Sequence, residues 1–268
     1  MNYPPEEKAL ESKIKDLMAA WKTHCKKIWK DKTFVSDGFF PYYTKQDVRV
    51  LFIGRESYGD TKEDYDYIQS YNDNCNTPNF HNRLLYLAYG IIHRKATEND
   101  WIKMDNATIL NHSLAEFSGF SYAFMNATKL CNADSTNTDI TRFKEFISDK
   151  ENQRCFIEEI RLINPNIIVS ANLGDLGFFT YFGEEYGIID ADSSLNSKNC
   201  YVRYMTLGGE KIPWIDGWHF SARKNTFECF YEPICSIAKK LNTKQQSYIL
   251  TKIFPVAGEV FSYANSGK

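Results

Sequence analysis

With 268 residues, 43% of them hydrophobic and 25% charged, the chain has the composition of an ordinary globular protein and the length to bury a large core. A net charge of −2 excludes a global basic field for nucleic acid, so any DNA-binding face has to be local. No apolar run approaches the roughly 20 residues of a membrane span; with seven scattered cysteines, no Cys-x-x-Cys pair and no visible signal peptide, the expectation is a soluble, reduced, cytoplasmic protein.

Pro4-Pro5-Glu6-Glu7 reads as a helix start, and Leu10, Ile14, Leu17, Met18, Trp21, Cys25 and Ile28 continue it as an apolar stripe. Lys22, Lys26, Lys27, Lys30 and Lys32 make its later part basic, which on a helix reads as a solvated face before a phosphate site. Residues 33–46 read as loop. Val48, Val50, Leu51, Phe52 and Ile53 then form an apolar run closed by Gly54, the pattern of a strand buried on both faces of a parallel sheet. Asp60 to Asn79 reads as a long loop or lid, and Asp60, Glu63, Asp64 and Asp66 would repel a phosphate backbone.

A helix is predicted from Phe80 through Leu84, Leu85, Leu87, Ala88 and Ile91, whereas residues 95–120 carry no usable pattern. Ser121 to Asn126 reads as a second buried strand, and residues 132–140 as loop. Ser148-x-x-Glu151 resembles a capping box opening a helix that Asn164-Pro165 stops. Ile167 to Ser170 is a third strand, with Asn172 as the expected cap of a helix through Leu176, Phe179 and Phe182. Residues 183–199 are irregular. Tyr201 to Thr206 alternates like a strand, Gly208-Gly209 turns it into Lys211 to Trp214, and Ile215 to His219 reads as a further strand end. The last helix runs from about Thr226 to Leu241. Strands alternating with helices predict an α/β fold with a mostly parallel sheet.

Ligands of open α/β sheets sit beyond the carboxyl ends of the strands. Three such ends here carry chemistry: Glu56 after the first strand, Asn126 after the second, and His219-Phe-Ser221-Ala-Arg223 after the last. In this order they resemble the uracil-DNA glycosylase superfamily. That family's Gly-Gln-Asp-Pro-Tyr-His, or Gly-Glu-x-Pro-Gly, is matched by Gly54-Arg-Glu-Ser-Tyr-Gly59, and the Asn-x-x-Lys of its thermophile-type branch by Asn126-Ala-Thr-Lys129. Its Pro-x-x-Ile strand is matched by Pro165-Asn-Ile-Ile-Val169 and its His-Pro-Ser loop by His219-Phe-Ser221. The likeness spans roughly residues 48–240.

The resemblance implies a three-layer α/β/α sandwich with a short, mainly parallel central sheet. It would form one domain over residues 1–268, with its core at about 46–242 and an added N-terminal helix at about 5–30. It also implies a DNA glycosylase that hydrolyses the N-glycosidic bond of uracil or another damaged base. The expected partner is DNA containing a damaged or deaminated base, with no metal and no cofactor. Glu56 would activate water and support the cationic sugar, and His219 would donate to the base O2 as charge develops there. Asn126 would read the base edge, Phe80 would stack on it, Tyr58 would crowd a C5 methyl, and Gly54 would border the same pocket. Ser221, Arg223 and Lys224 would meet DNA.

Four departures accompany the likeness. Ser57 and Phe220 stand where the family has proline, Glu56 is one methylene longer than Asp, and Arg223 lies where an apolar wedge is common. Cys131 and Cys155 fall near two iron–sulfur positions, but the N-terminal pair is missing, so no cluster is expected. Residue by residue, simpler readings stand beside these: Asn126 as a helix cap, His219 as a satisfied buried histidine, Glu56 paired to a cation. The alternative functions are a non-catalytic nucleobase or nucleic-acid binder and an interaction protein that keeps the scaffold.

Overall fold

The computed structural model describes residues 2–59, 63–70, 79–95, 97, 121–132, 137–191, 193–197 and 199–241. The unpatterned stretch 98–120, much of the lid and everything after 241 lie outside the described residues. A turn at Pro5–Glu7 leads into α1 (Lys8–Ile28), which buries Ile14, Met18, Trp21 and Cys25 at helical spacing. There follow β1 (Val35–Ser36), β2 (Gly38–Phe39), β3 (Val50–Gly54), β4 (Tyr65–Asp66), α2 (Asn79–Ile92) and β5 (Ala123–Asn126). Then come α3 (Ile140–Ser148), α4 (Lys150–Ile163), β6 (Ile167–Ala171), α5 (Phe178–Phe182) and β7 (Ile188–Asp190). β8 (Tyr201–Leu207), β9 (Glu210–Gly217) and α6 (residues 226–241, with a π-helical stretch at Phe227–Tyr231) are the last elements among the described residues. No helix among the described residues is long and apolar enough to cross a membrane.

Seven strands form one sheet in the order β2-β5-β3-β6-β9-β8-β7. β5, β3, β6 and β9 are parallel, whereas β2 at one edge and β8 and β7 at the other run antiparallel to their neighbours. The carboxyl ends of the four parallel strands, Gly54, Asn126, Ala171 and Gly217, therefore share one edge. Side chains alternate between the faces. Phe52, Phe124, Val169 and Ile215 pack with α2 and α6, while Leu51, Ile53, Met125, Ile168 and Trp214 pack with α1, α3, α4 and α5. The fold is thus α/β, with a sheet parallel at its centre and helices on both faces.

Several local expectations need correction. Residues 33–46 contain β1 and β2, each two residues long and so too short for a period-two pattern to show. Lys211–Trp214 and Ile215 onward are one strand, β9, joined to β8 through Gly208 and Gly209, both at positive φ as a two-residue hairpin turn favours. The cap of α4 is Asp149, whose side chain accepts the Asn152 N–H; Ser148 ends α3 and donates to the Glu145 carbonyl. After β6, Asn172 turns to Asp175, and the N–H groups of Leu173 and Gly174 go to Asp216 of β9, each at 2.9 Å. Part of the expected acidic lid lies along α1: Lys22 and Lys26 meet Asp64 at 2.9 and 2.8 Å. Although burial opposes its charge, these lysines hold the Asp64 carboxyl down at about 2.

Beneath the end of β5 lies a cluster of charge. Lys129, Asp37 and Glu159 have side chains without solvent exposure, with the ammonium bonded to Asp37 and 2.8 Å from Glu159. The Trp21 ring centroid is 5.0 Å from the same ammonium. The second oxygen of Asp37 accepts the Asn126 N–H at 2.7 Å. Two carboxylates and one cation would leave a net buried negative charge, which is costly. Burial and the adjacent Asp37 push Glu159 well above the usual carboxylate value, against the pull of Lys129, a shift that favours its neutral form. Glu159→Gln should then cost no more than about 1 kcal/mol, the scale of one hydrogen bond. Lys129→Met, which strands Asp37, should cost about 3–5 kcal/mol. Urea unfolding of both variants at pH 7 checks the pair.

Candidate functional site

Gly54 ends β3 without a side chain because Asn126 occupies the space. A Cβ built on Gly54 would lie 2.5 Å from Asn126 Oδ1 and 3.1 Å from the Phe124 ring. The carboxamide of Asn126 therefore lies across the β3 exit on the α2 and α6 face, and Asn126 is only 2% exposed. Beyond the strands the two segments stay joined: Ala127 N–H donates to the Gly54 carbonyl, Thr128 N–H to that of Arg55, and Asn132 N–H to that of Ser57. Asn126 is no helix cap.

His219 reaches this region although β6 separates β9 from β3. The link is Phe220, fully buried, which sets its ring edge-on against Phe52 at 5.9 Å and against Phe80 at 5.6 Å. A phenylalanine in place of the resembled motif's proline thus anchors the loop in the core. Phe80, in the first turn of α2, touches His219 at 6.2 Å and Phe124 at 5.7 Å between ring centroids. Tyr67 covers Phe124 at 4.4 Å and stacks on His81, whose Nδ1 is 2.8 Å from the Tyr67 hydroxyl. Gly54, Phe80, Asn126 and His219 are accordingly drawn to one face of the sheet's carboxyl edge.

The His219 tautomer follows from its neighbours. Its Nδ1 accepts the Ser221 N–H at 3.3 Å and lies 2.7 Å from Ser221 Oγ. A backbone N–H can only donate, so Nδ1 carries no proton and the neutral ring bears it on Nε2. Burial, then the guanidinium groups of Arg55 and Arg83, push the imidazole down to about 4. At neutral pH His219 is an uncharged Nε2–H donor.

Glu56 turns the other way. Its Oε1 accepts from Asn132 Nδ2 at 3.0 Å, and its Oε2 lies 3.6 Å from Arg142 Nη2 on α3, without a hydrogen bond among the described residues. α3 packs on the sheet face opposite α2 and α6. No hydrogen bond or ion pair among the described residues joins Glu56 to Asn126 or His219. Burial raises the Glu56 carboxyl, while Asn132 and Arg142 pull it back toward ionisation. Between the two sides stands Arg55, donating to the carbonyls of Ala171 at 3.1 Å and Asn172 at 2.9 Å.

The remaining expected residues sit at the rim. Tyr58 is 61% exposed. Ser221 and Arg223 are exposed, with the Ser221 hydroxyl held at His219, and the Lys224 ammonium lies 5.0 Å from the Trp218 ring centroid. Two residues central to the site escaped the sequence reading: Arg55, passed over beside Glu56, and Arg83. The signal for Arg83 was a charged residue abutting Leu84 and Leu85 on a buried helix. A groove of about 300 Å³ runs between α1 and the short parallel pair β1 and β4, bordered by Tyr3, Asp37, Phe39 and Asp66. Among the described residues no group of three His, Cys, Asp or Glu is placed to hold a metal ion.

Neither a protein-family model nor a curated protein matches this chain.

Two outcomes test this geometry. Gly54→Ala should displace the Asn126 carboxamide and lower stability by more than about 1 kcal/mol, which urea unfolding and the Asn126 side-chain amide signals read together. The second concerns acid. His81 and His219 both titrate at about 4 in the fold, against an ordinary value of 6.5. Between those values the unfolded chain binds more protons, so the contribution of neutral imidazoles is complete above pH 6.5 and falls as pH drops toward 4. The wild type should lose stability over that window relative to a His81→Asn, His219→Asn variant.

Proposed function

We propose that the protein is a DNA glycosylase that hydrolyses the N-glycosidic bond of uracil or another deaminated or damaged base, on a scaffold of the uracil-DNA glycosylase kind. The observation that carries this reading is His219, an uncharged Nε2–H donor set against the Phe80 ring on the face that also holds Asn126. A departing base accumulates negative charge on its carbonyl oxygens, and a fixed donor in a buried site stabilises that charge without reorganising. Phe80 offers an aromatic surface to an extruded base, and Asn126 offers an amide edge that pairs with the imide of uracil. Glu56 fits a water-positioning role, with one oxygen fixed by Asn132 and the other lacking a hydrogen bond among the described residues. Arg223 and Lys224, exposed at the rim, suit contact with phosphate.

A second reading, a non-catalytic nucleobase binder, is favoured by one observation: the Glu56 carboxylate is directed toward Arg142 and away from the face that holds His219. The two readings part in one experiment. Oligonucleotides containing uracil, hypoxanthine or a mismatch are incubated with wild type and Glu56→Gln, then treated with alkali. The glycosylase reading expects strand breaks with wild type and a loss of at least about 10²-fold in Glu56→Gln, with oligonucleotide affinity retained. Equal binding by both proteins and no breaks from any substrate would leave the binder.

A further inference from the structure

Arg83 lies within α2, three residues after Phe80, and is 2% exposed. Its Nη1 donates to the carbonyls of Phe220 and Ala222, the latter at 2.7 Å, and its Nη2 to that of Lys224 at 3.0 Å. Nε lies 3.4 Å from Thr226 Oγ1, and the guanidinium carbon stands 4.1 Å over the Phe230 ring of α6. We propose that Arg83 is the positioning residue of the candidate site: its planar fork holds alternate carbonyls of the 219–225 loop and thereby fixes where the His219 ring stands and which of its nitrogens bears the proton. The proposal rests on the reading of His219 as the donor to a ligand.

The geometry asks for a guanidinium. Carbonyls 220, 222 and 224 converge on one donor plane, and a planar fork with five N–H groups satisfies all three, which the compact ammonium of lysine does not. The loop's own bonds are few: Ala222 N–H to the His219 carbonyl and Lys224 N–H to the Ala222 carbonyl, each at 2.8 Å. Released from Arg83, the carbonyls would have to turn toward water, because unpaired buried acceptors are costly. The Ser221 N–H would then leave His219 Nδ1, and with it goes the bond that selects the tautomer. Arg83 also acts by charge. The cations bearing on His219 are Arg83 from α2 and Arg55 from the end of β3, and both oppose an imidazolium.

Nitrogen-15 spectra of the His219 ring across pH, on wild type, Arg83→Lys and Arg83→Gln, test the proposal. Wild type is expected to show a neutral Nε2–H ring that takes its proton at about 4. Arg83→Lys keeps the charge and loses the fork, so its titration should stay low while the two tautomers mix. Arg83→Gln should mix the tautomers and also titrate closer to the ordinary imidazole value. A folded Arg83→Lys protein with the wild-type tautomer overturns the proposal. So does an Arg83→Lys protein that fails to fold, which would make Arg83 a residue of the fold alone; a failure of Arg83→Gln leaves Arg83→Lys to decide. Where wild type releases base, Arg83→Lys should lower kcat about 10²-fold with little change in KM. Absence of base release by wild type counts against the glycosylase reading, and the spectra still judge Arg83.

Discussion

The Lys129 ammonium, shut away from water between Asp37 and Glu159, is the contact on which the arrangement of the site depends. An ammonium that deep is tolerated only with an ionised partner in place, because losing Asp37 would leave an uncompensated charge. Those partners come from different layers. Asp37 lies between β1 and β2, Lys129 follows β5, Glu159 belongs to α4, and Trp21 of α1 covers the group. The Trp21 indole N–H also donates to Asn152 of α4 at 2.7 Å, so the N-terminal helix is bound into the same cluster. Its apolar stripe is part of the core.

What the cluster fixes, the site uses. Asp37 takes the Asn126 N–H with the oxygen that Lys129 leaves available, which sets the direction in which β5 ends. From there Asn126 lies over Gly54, and the paired exits of β3 and β5 carry the constraint forward to Asn132 and so to Glu56. On the other side the constraint is aromatic: Phe220 wedges between Phe52 and Phe80 and brings His219 across β6. Polar groups are held here by rigid elements and by the packed core, the condition under which a donor costs no reorganisation when charge develops.

The sequence made the parallel centre legible because strands buried on both faces read as continuous apolar runs, as Val50 to Ile53 and Ile167 to Val169 do. Boundaries were legible too: β5 ends at Asn126, α2 begins one residue before Phe80, and β9 ends two residues before His219. What it could not show was partnership at a distance. Lys129 meets Asp37 across 92 residues, Asp216 caps a turn 43 residues before it, and Arg83 meets a loop 137 residues away. Such pairings leave no period in the chain. An isolated charge in an apolar helix is their sole trace, and Arg83 shows it. Caps failed for a related reason: Asp149 opens α4 directly where α3 ends, so Ser148 had the right spacing to Glu151 but was already part of another helix.

The charges around the β3 exit are unevenly divided, and the division bears on chemistry. On the α2 and α6 side stand a neutral donor, His219, and the buried cation Arg83, with the half-buried Arg55 at the boundary, an environment that favours negative charge on a ligand. On the α3 side stands Glu56, which favours positive charge when ionised. Burial works against that ionisation, and Asn132 and Arg142 work for it. Breaking an N-glycosidic bond moves electrons from sugar to base, so the proposed reaction requires this polarity, with the base beside His219 and the sugar beside Glu56. Arg142 then has two opposed effects. It favours the ionised form of Glu56, the form able to support a cationic sugar, but it also draws the carboxylate toward α3. Whether Glu56 acts or merely stands by is therefore set by the 3.6 Å between Glu56 Oε2 and Arg142 Nη2, a gap across which charge is shared and no hydrogen bond is formed.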